Sequence, residues 1–382
     1  MEQVRLVVEE KQFHYGEIFG PQGPLVYPAG FVWLYAILRW FTGEEIAIAQ
    51  HIFAVFYIVD VTIMARIYYK TFSNKEMPAL ALALLATSRR AHSVFALRLF
   101  NDGPCALLTH LAILLLLESQ PYIASIVFSL AISIKMSAIL YAPAWYVILA
   151  SRPQGHRGAI LAISLCALVQ ILVAAPFLLT DPFVYLQRAF DFGRGFKHKW
   201  SVNFRWIPCE PQHDTHVLLP DCQGIFSSTA FKLSLLFMHA SFLILFAHFR
   251  WRAKAGGFLS IFTSFYPTFS YSPLAVTTML FSCNFIGIAL ARSLHFQFCV
   301  WYINSLPLLL FSTRLPLFFK LLLLFAVEAA WNPWQGESST AASSLLLTCT
   351  HVAILAALYF ASIVPDFAPS TAHRGQQEKK IM

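Results

Sequence analysis

The chain has 382 residues, of which 58% are hydrophobic and only 12% charged, about half the charge density of a soluble domain. This balance excludes a soluble globular enzyme and predicts a polytopic membrane protein, in which long apolar runs and short basic connections favour helices over barrel strands. The net charge of +8 does not point to nucleic acid, because Lys and Arg fall mainly in short connections where they set topology, with no interleaved basic and aromatic patch outside them.

Residues 1–45 open the chain on polar, proline-punctuated sequence, including EIFGPQGPLVYPAG. The apolar stretch 28–41 is too short to cross a bilayer comfortably and predicts a helix lying at the interface. Crossing needs about 20 apolar residues, and on that measure about eleven spans are expected. They lie at 46–69, 77–97, 105–117, 122–135, 138–150, 158–179, 226–249, 273–291, 299–312, 315–330 and 343–364. The predicted fold is therefore an all-α polytopic helical bundle with its body over 46–364. Runs 122–135 and 138–150 are short, which predicts tilted or broken helices packed inside protein. Alternating from residue 46, Arg66, Lys70 and Lys75, then Arg152 and Arg157, then Arg250, Arg252 and Lys254, then Arg314 and Lys320, all fall on the side of the carboxyl-terminal tail. The positive-inside rule makes that side cytosolic and the other lumenal.

Several lumenal segments carry polar groups. LRLFNDGP puts Arg98, Asn101 and Asp102 at the end of one span, beside a turn made by Gly103 and Pro104; charged caps at helix ends are ordinary, so Asp102 alone carries little weight. Lys135 interrupts SLAISIKMSAIL, where a central charge costs about 2.5–3.5 kcal/mol on insertion scales. It is expected to face a polar cavity or to snorkel outward. The loop 180–225 contains FDFGRGFKHKWSVNFRW, with Arg188, Arg194, Lys197, His198, Lys199 and Arg205 on the side that should be poor in Lys and Arg. Long loops translocate whatever their charge, but Arg forks also suit phosphate oxygens, and Gly193 and Gly195 would let backbone N–H groups approach an anion. ARSLHFQFCVWYINSLP gathers Arg292, His295, Trp301 and Tyr302 at the lumenal mouth of two spans. Together with the basic loop this predicts a cleft between lipid and lumen for an amphipathic phospholipid. Asp60 and Glu328 are embedded and are expected to pack or hydrogen-bond.

The seven cysteines show no zinc spacing; only Cys209 and Cys222 share a polar loop, where a disulfide and two unpaired thiols are equally compatible with the sequence. No metal or other cofactor is expected. The tail 365–382 ends in KKIM, with Lys380 and Lys379 third and fourth from the carboxyl end. This is a dilysine retrieval pattern, an address read by coat retrieval machinery in the cytosol, and it predicts residence in the endoplasmic-reticulum membrane.

Ordered stretches from about residue 17 to 310 carry a family resemblance: GPLVYPAGF, AQHIFAVFY, HSVFALRLFND, SLAISIKM with LYAPA, AFDFGRGF, VNFRWIP, and CNFIGI with ARSLHFQF and VWY. The chain resembles the endoplasmic-reticulum α-1,3-mannosyltransferases that extend the dolichol-linked five-mannose oligosaccharide from dolichyl-phosphate mannose. The resemblance implies a C-type glycosyltransferase with a lumenal active-site face, dolichyl-phosphate mannose as donor and the dolichol-pyrophosphate-linked oligosaccharide as acceptor. It further implies inversion through an oxocarbenium-like state, in which cations stabilise the leaving phosphate and a base takes the acceptor proton. Arg194, Lys197, His198, Arg205, Arg292 and His295 are expected to bind phosphate or pyrophosphate. Arg98 and Asp102 belong to a second lumenal motif, with Asp102 a weak substitute for the base, and Tyr27, Trp301 and Tyr302 are plausible walls for sugar or polyprenyl. In the family a first span and an aspartate precede the polar opening, so residues 1–45 read as the later part of the first lumenal loop. A catalytically inactive paralogue or isoform that binds dolichol-linked lipid is the competing expectation. A transporter would predict repeated halves, which the sequence does not contain.

Overall fold

The computed structural model describes residues 1–21, 23–76, 79–191, 198–211, 222–263, 269–332, 339–361 and 367–369. Helix dominates these residues, and the only strands among them form three two-stranded antiparallel pairs. Local chemistry sets many helix starts. Ser228, Ser272 and Asp181 each accept a backbone N–H three residues on, and Thr340 and Ser343 form a reciprocal capping box. Pro121, Pro182 and Pro273 occupy first turns, where a missing N–H costs nothing.

Among the described residues four helices are long and apolar enough to cross a membrane: Ile46–Phe72, Gly155–Thr180, Thr229–Trp251 and Ala341–Phe360. A fifth span would be the pair Ala79–Leu97 and Asp102–Leu117, bent by 117° at its break. Several other apolar runs fold as shorter pieces, which separates this count from the eleven expected. Pro121–Ile134 has 14 residues and Ala142–Ala150 has 9, each well short of about 20. The run at 299–312 becomes a 3-10 turn, Phe296–Trp301, and the short helix Leu306–Phe311.

The chain divides into two compact units. One comprises Met1–Tyr69, Leu85–Ile139 and Ile160–Arg194. Its core includes the polar opening of the chain: Tyr15, Ile18, Leu25, Ala29 and Val32 are buried with Phe177, Tyr185 and Ala189. Tyr15 meets Phe177 and Tyr185 edge-on at 4.9 Å each, a favoured aromatic geometry. Hydrogen bonds fix the register, from Tyr15 Oη to the Tyr27 carbonyl at 2.6 Å, from Ala29 N–H to Tyr185 Oη at 3.3 Å, and from Trp33 Nε1 to the Val173 carbonyl at 2.7 Å. Helix Ala29–Thr42 thus buries one face and leaves Ile37, Trp40 and Phe41 exposed on another.

The other unit comprises Lys70–Leu84, Leu140–Ala159 and Gly195–Met382. Helix Pro273–Ala289 is buried along most of its length, as a helix apolar all round should be. A polar lattice ties further segments together: Arg252 is 3% exposed and its guanidinium donates to Ser260 Oγ at 3.0 Å and Ser151 Oγ at 2.6 Å. Cys209 is disulfide-bonded, the Cys222 side chain lies outside the described residues, and Cys105, Cys166, Cys283, Cys299 and Cys349 are free.

Candidate functional site

In the first unit the polar groups gather where two helices break. The segment before Asp102 ends in a π-helical turn, Ser93–Leu97, a distortion often associated with functional sites. Leu99 then takes φ +53°, and its carbonyl accepts a hydrogen bond from Tyr35 Oη at 2.7 Å. Helix Asp102–Leu117 begins directly afterwards. The second break is at Lys135, where Pro121–Ile134 ends and the backbone becomes extended, with φ −153° and ψ 126°.

Side chains of the first helix complete the second. Lys135 Nζ lies 2.6 Å from Asp102 Oδ1, with the ammonium group nearly buried and the carboxylate wholly so. Cys105 Sγ, three residues on and on the same helical face, donates to the carbonyls of Ala131 at 3.5 Å and Lys135 at 3.7 Å. The thiol is a second donor to each carbonyl, since Ala131 also accepts from Lys135 N–H at 3.1 Å and Lys135 from Ala138 N–H at 3.4 Å, and it braces the break. The Tyr27 ring centroid lies 5.8 Å from Lys135 Nζ, within cation–π range. Gly30 makes the approach possible, because a Cβ there would stand 2.8 Å from the Ser133 backbone carbon. Tyr27, Asp102 and Lys135 are therefore one cluster, while Arg98 is exposed in the break.

Lys135 does not snorkel outward: it is 6% exposed and Asp102 neutralises it in place. The same contact bears on Asp102, whose carboxylate serves as counter-ion to an ammonium group. Asp60 is the partner of His110, at 2.6 Å with both side chains buried, and Glu328 is exposed on helix Leu317–Trp331.

The second unit brings His198, Arg205 and Arg292 around one ring. Arg205 Nη1 donates to His198 Nδ1 at 2.6 Å, a geometry that requires that nitrogen to be unprotonated and the imidazole neutral. The His198 ring meets Phe226 edge-on at 4.5 Å, and the Arg292 guanidinium carbon stands 5.4 Å from the Phe226 centroid. Beside them His295 contacts Trp200 and Phe298, and Phe298 stacks on Trp301 at 4.2 Å. Arg194 and Lys197 lie outside the described residues.

A buried clamp holds these segments together. Asn203 Nδ2 reaches the carbonyls of Ile288, Ala289 and Ala291 at 3.1, 3.2 and 2.8 Å, capping the end of helix Pro273–Ala289. Val202 N–H donates to the Leu294 carbonyl at 2.8 Å and Leu294 N–H to Ser201 Oγ at 3.1 Å. The stretch after the basic loop is thus stitched to the stretch carrying Arg292 and His295. Tyr302, expected to wall a sugar or polyprenyl, is instead fully buried. Its hydroxyl accepts from Trp331 Nε1 at 2.7 Å and contacts His351 Nε2 at 3.2 Å, so it packs the core. Trp301 stays partly exposed.

Sequence reading missed Asn203, Phe226 and the role of Lys135 as partner to Asp102. Asn203 sits within VNFRWIP, but an asparagine shows no sign of which distant carbonyls it caps. Lys135 was visible as an anomaly in an apolar run; its partner, 33 residues earlier, was not. Among the described residues no cluster of three His, Cys, Asp or Glu could hold a metal ion.

Comparison with known proteins gives a consistent picture. The family model described as "ALG3 protein" matches residues 1–344. A protein of Arabidopsis thaliana named Dol-P-Man:Man(5)GlcNAc(2)-PP-Dol alpha-1,3-mannosyltransferase is 39% identical over 381 residues, covering 96% of this chain and 82% of its own length. The proteins of that name from Homo sapiens and Mus musculus are each 37% identical, covering 94% and 91% of this chain and 80% and 77% of their own lengths.

Proposed function

The chain belongs to the ALG3 protein family, and on that premise we propose that it transfers mannose from dolichyl-phosphate mannose to the five-mannose dolichol-pyrophosphate-linked oligosaccharide, forming an α-1,3 linkage. It is a membrane-embedded mannosyltransferase. The observation that carries the substrate assignment is similarity sustained through nearly the whole chain to relatives named for this reaction.

The chemistry fits the cationic cluster. Departure of dolichyl phosphate from the anomeric carbon develops positive charge on the sugar and negative charge on the leaving oxygen, so fixed cations lower the barrier. Arg205, held by neutral His198, and Arg292, held against Phe226, supply two such cations, with His295 beside them; Arg194 and Lys197, which lie outside the described residues, are assigned to phosphate binding from the sequence alone. In this unit Trp301 offers an apolar face to sugar or polyprenyl; in the other unit, taken by itself, Tyr27 is assigned the same role and Arg98 acts from the break ahead of Asp102. Asp102 is assigned to neutralising Lys135, and the acceptor proton goes to another base. One in-line displacement inverts the anomeric centre.

We place the reaction at the lumenal face of the endoplasmic-reticulum membrane, in a body of about eleven spans over 46–364 in which helices broken inside protein count as crossings. Residues 1–45 form lumenal structure with a helix at the interface, a position supported by the exposed Ile37, Trp40 and Phe41. The tail 365–382 is cytosolic, and Lys379 and Lys380 engage coat retrieval machinery. The assay is mannose transfer in microsomes that lack the endogenous enzyme, supplied with dolichyl-phosphate mannose and the five-mannose acceptor lipid. A six-mannose lipid is expected when this chain is expressed; absence of that product from membranes in which the folded chain is present overturns the assignment.

A further inference from the structure

The break between Leu97 and Asp102 contains a group that neither the ion pair nor the cationic cluster uses. Asn101, the residue capping helix Asp102–Leu117, is 4% exposed, and its Nδ2 has no hydrogen-bond partner among the described residues. Its side chain does not cap the helix either. A buried amide donor without an acceptor is costly and calls for an explanation such as an unseen ligand.

The surroundings favour an anionic oxygen as the partner. Asn101 stands at the start of a 16-residue helix, whose aligned peptides place partial positive charge there. Asp102 would oppose an anion at this end, but Lys135 at 2.6 Å neutralises it. Arg98 adds a full positive charge three residues earlier, and the backbone between them is fixed by Tyr35 on the Leu99 carbonyl. The local field is therefore positive, with one buried N–H donor left over.

We propose that Asn101 Nδ2 binds a phosphate oxygen of a lipid-linked substrate, making the Arg98–Asp102 break a phosphate-positioning site that acts alongside the reaction assigned above and rests on that assignment. Both substrates carry phosphate, and the experiment separates them. Asn101→Leu removes the donor at nearly constant volume, and Asn101→Asp replaces it with a carboxylate that repels phosphate. In the microsomal assay, KM for one substrate should rise about 10- to 100-fold in Asn101→Leu, the range of a hydrogen bond to a charged group, and further in Asn101→Asp. A rise for dolichyl-phosphate mannose assigns the site to the donor phosphate, and a rise for the oligosaccharide lipid assigns it to the acceptor pyrophosphate.

Stability supplies a readout that a purely structural amide would move the other way. Without ligand, purified Asn101→Leu should unfold at the same or a higher temperature than the parent chain, because an unsatisfied buried donor has been removed. Added dolichyl phosphate or dolichyl pyrophosphate should raise the unfolding temperature of the parent chain more than that of the variant. This binding arm is independent of turnover, so it tests the site even if the parent chain makes no product. Unchanged KM for both substrates with lowered stability of Asn101→Leu, or equal stabilisation of parent and variant by both lipids, overturns the proposal.

Discussion

A single lysine in an apolar run is a problem that the chain solves with one contact. Lys135 and Asp102 lie 2.6 Å apart with both groups buried, and such pairs are revealing when broken. Removing one partner leaves an uncompensated buried charge, at a cost of about 3–5 kcal/mol, whereas replacing both by neutral groups can be nearly neutral. Lys135→Met and Asp102→Asn should each lower the unfolding temperature strongly, and the double variant should recover most of the loss, as read by thermal unfolding of purified protein. Transfer activity follows the same pattern if Asp102 is a counter-ion. A double variant that is stable but as inactive as Asp102→Asn would return Asp102 to the role of base. In the other unit His198 serves Arg205 through a lone pair, so a residue read in the sequence as one more cation holds a neutral form there. Phe226, which looked like the first residue of a span, joins His198 and Arg292 around its ring.

Where helices in this chain break or end, side chains from other segments hydrogen-bond the backbone there. The break at Lys135 is braced by Cys105, the end of Pro273–Ala289 by Asn203, and the Leu99 carbonyl by Tyr35. Inside a membrane protein such interruptions survive only with partners of this kind. Close helix approach has its own requirement at Gly30, where an added Cβ would stand 2.8 Å from the Ser133 backbone carbon. Backbone cannot rotate away as a side chain can, so Gly30→Ala should destabilise by about 1–3 kcal/mol, the usual cost of overpacking. Because the shift would move Tyr27 relative to Lys135, a larger fall in transfer than in folded yield is expected, measured as activity per unit of folded protein in the same membranes. Wild-type activity per folded molecule would mean that the spacing of Tyr27 and Lys135 does not matter to the reaction.

At the scale of the whole chain, charge in the connections and the terminal lysines carries a prediction that no single site could. Lys379→Ser together with Lys380→Ser should move the protein from endoplasmic-reticulum fractions to later secretory membranes without altering transfer per molecule; unchanged fractionation would remove the tail from the address. The sequence by itself determined the membrane class and the helical fold, because mean composition and 20-residue apolar runs depend on transfer free energies that act locally. It also determined the family, through ordered motifs, and it marked Lys135 and the basic loop as anomalies against their surroundings. Tertiary structure decided which helices break and which polar groups meet. Asp102 with Lys135, Asp60 with His110, and Asn203 with the end of Pro273–Ala289 are contacts between residues 33, 50 and 85 or more positions apart. Hydrogen bonds and ion pairs act over a few ångströms, so their partners follow from packing, and hydropathy read along the chain does not contain them.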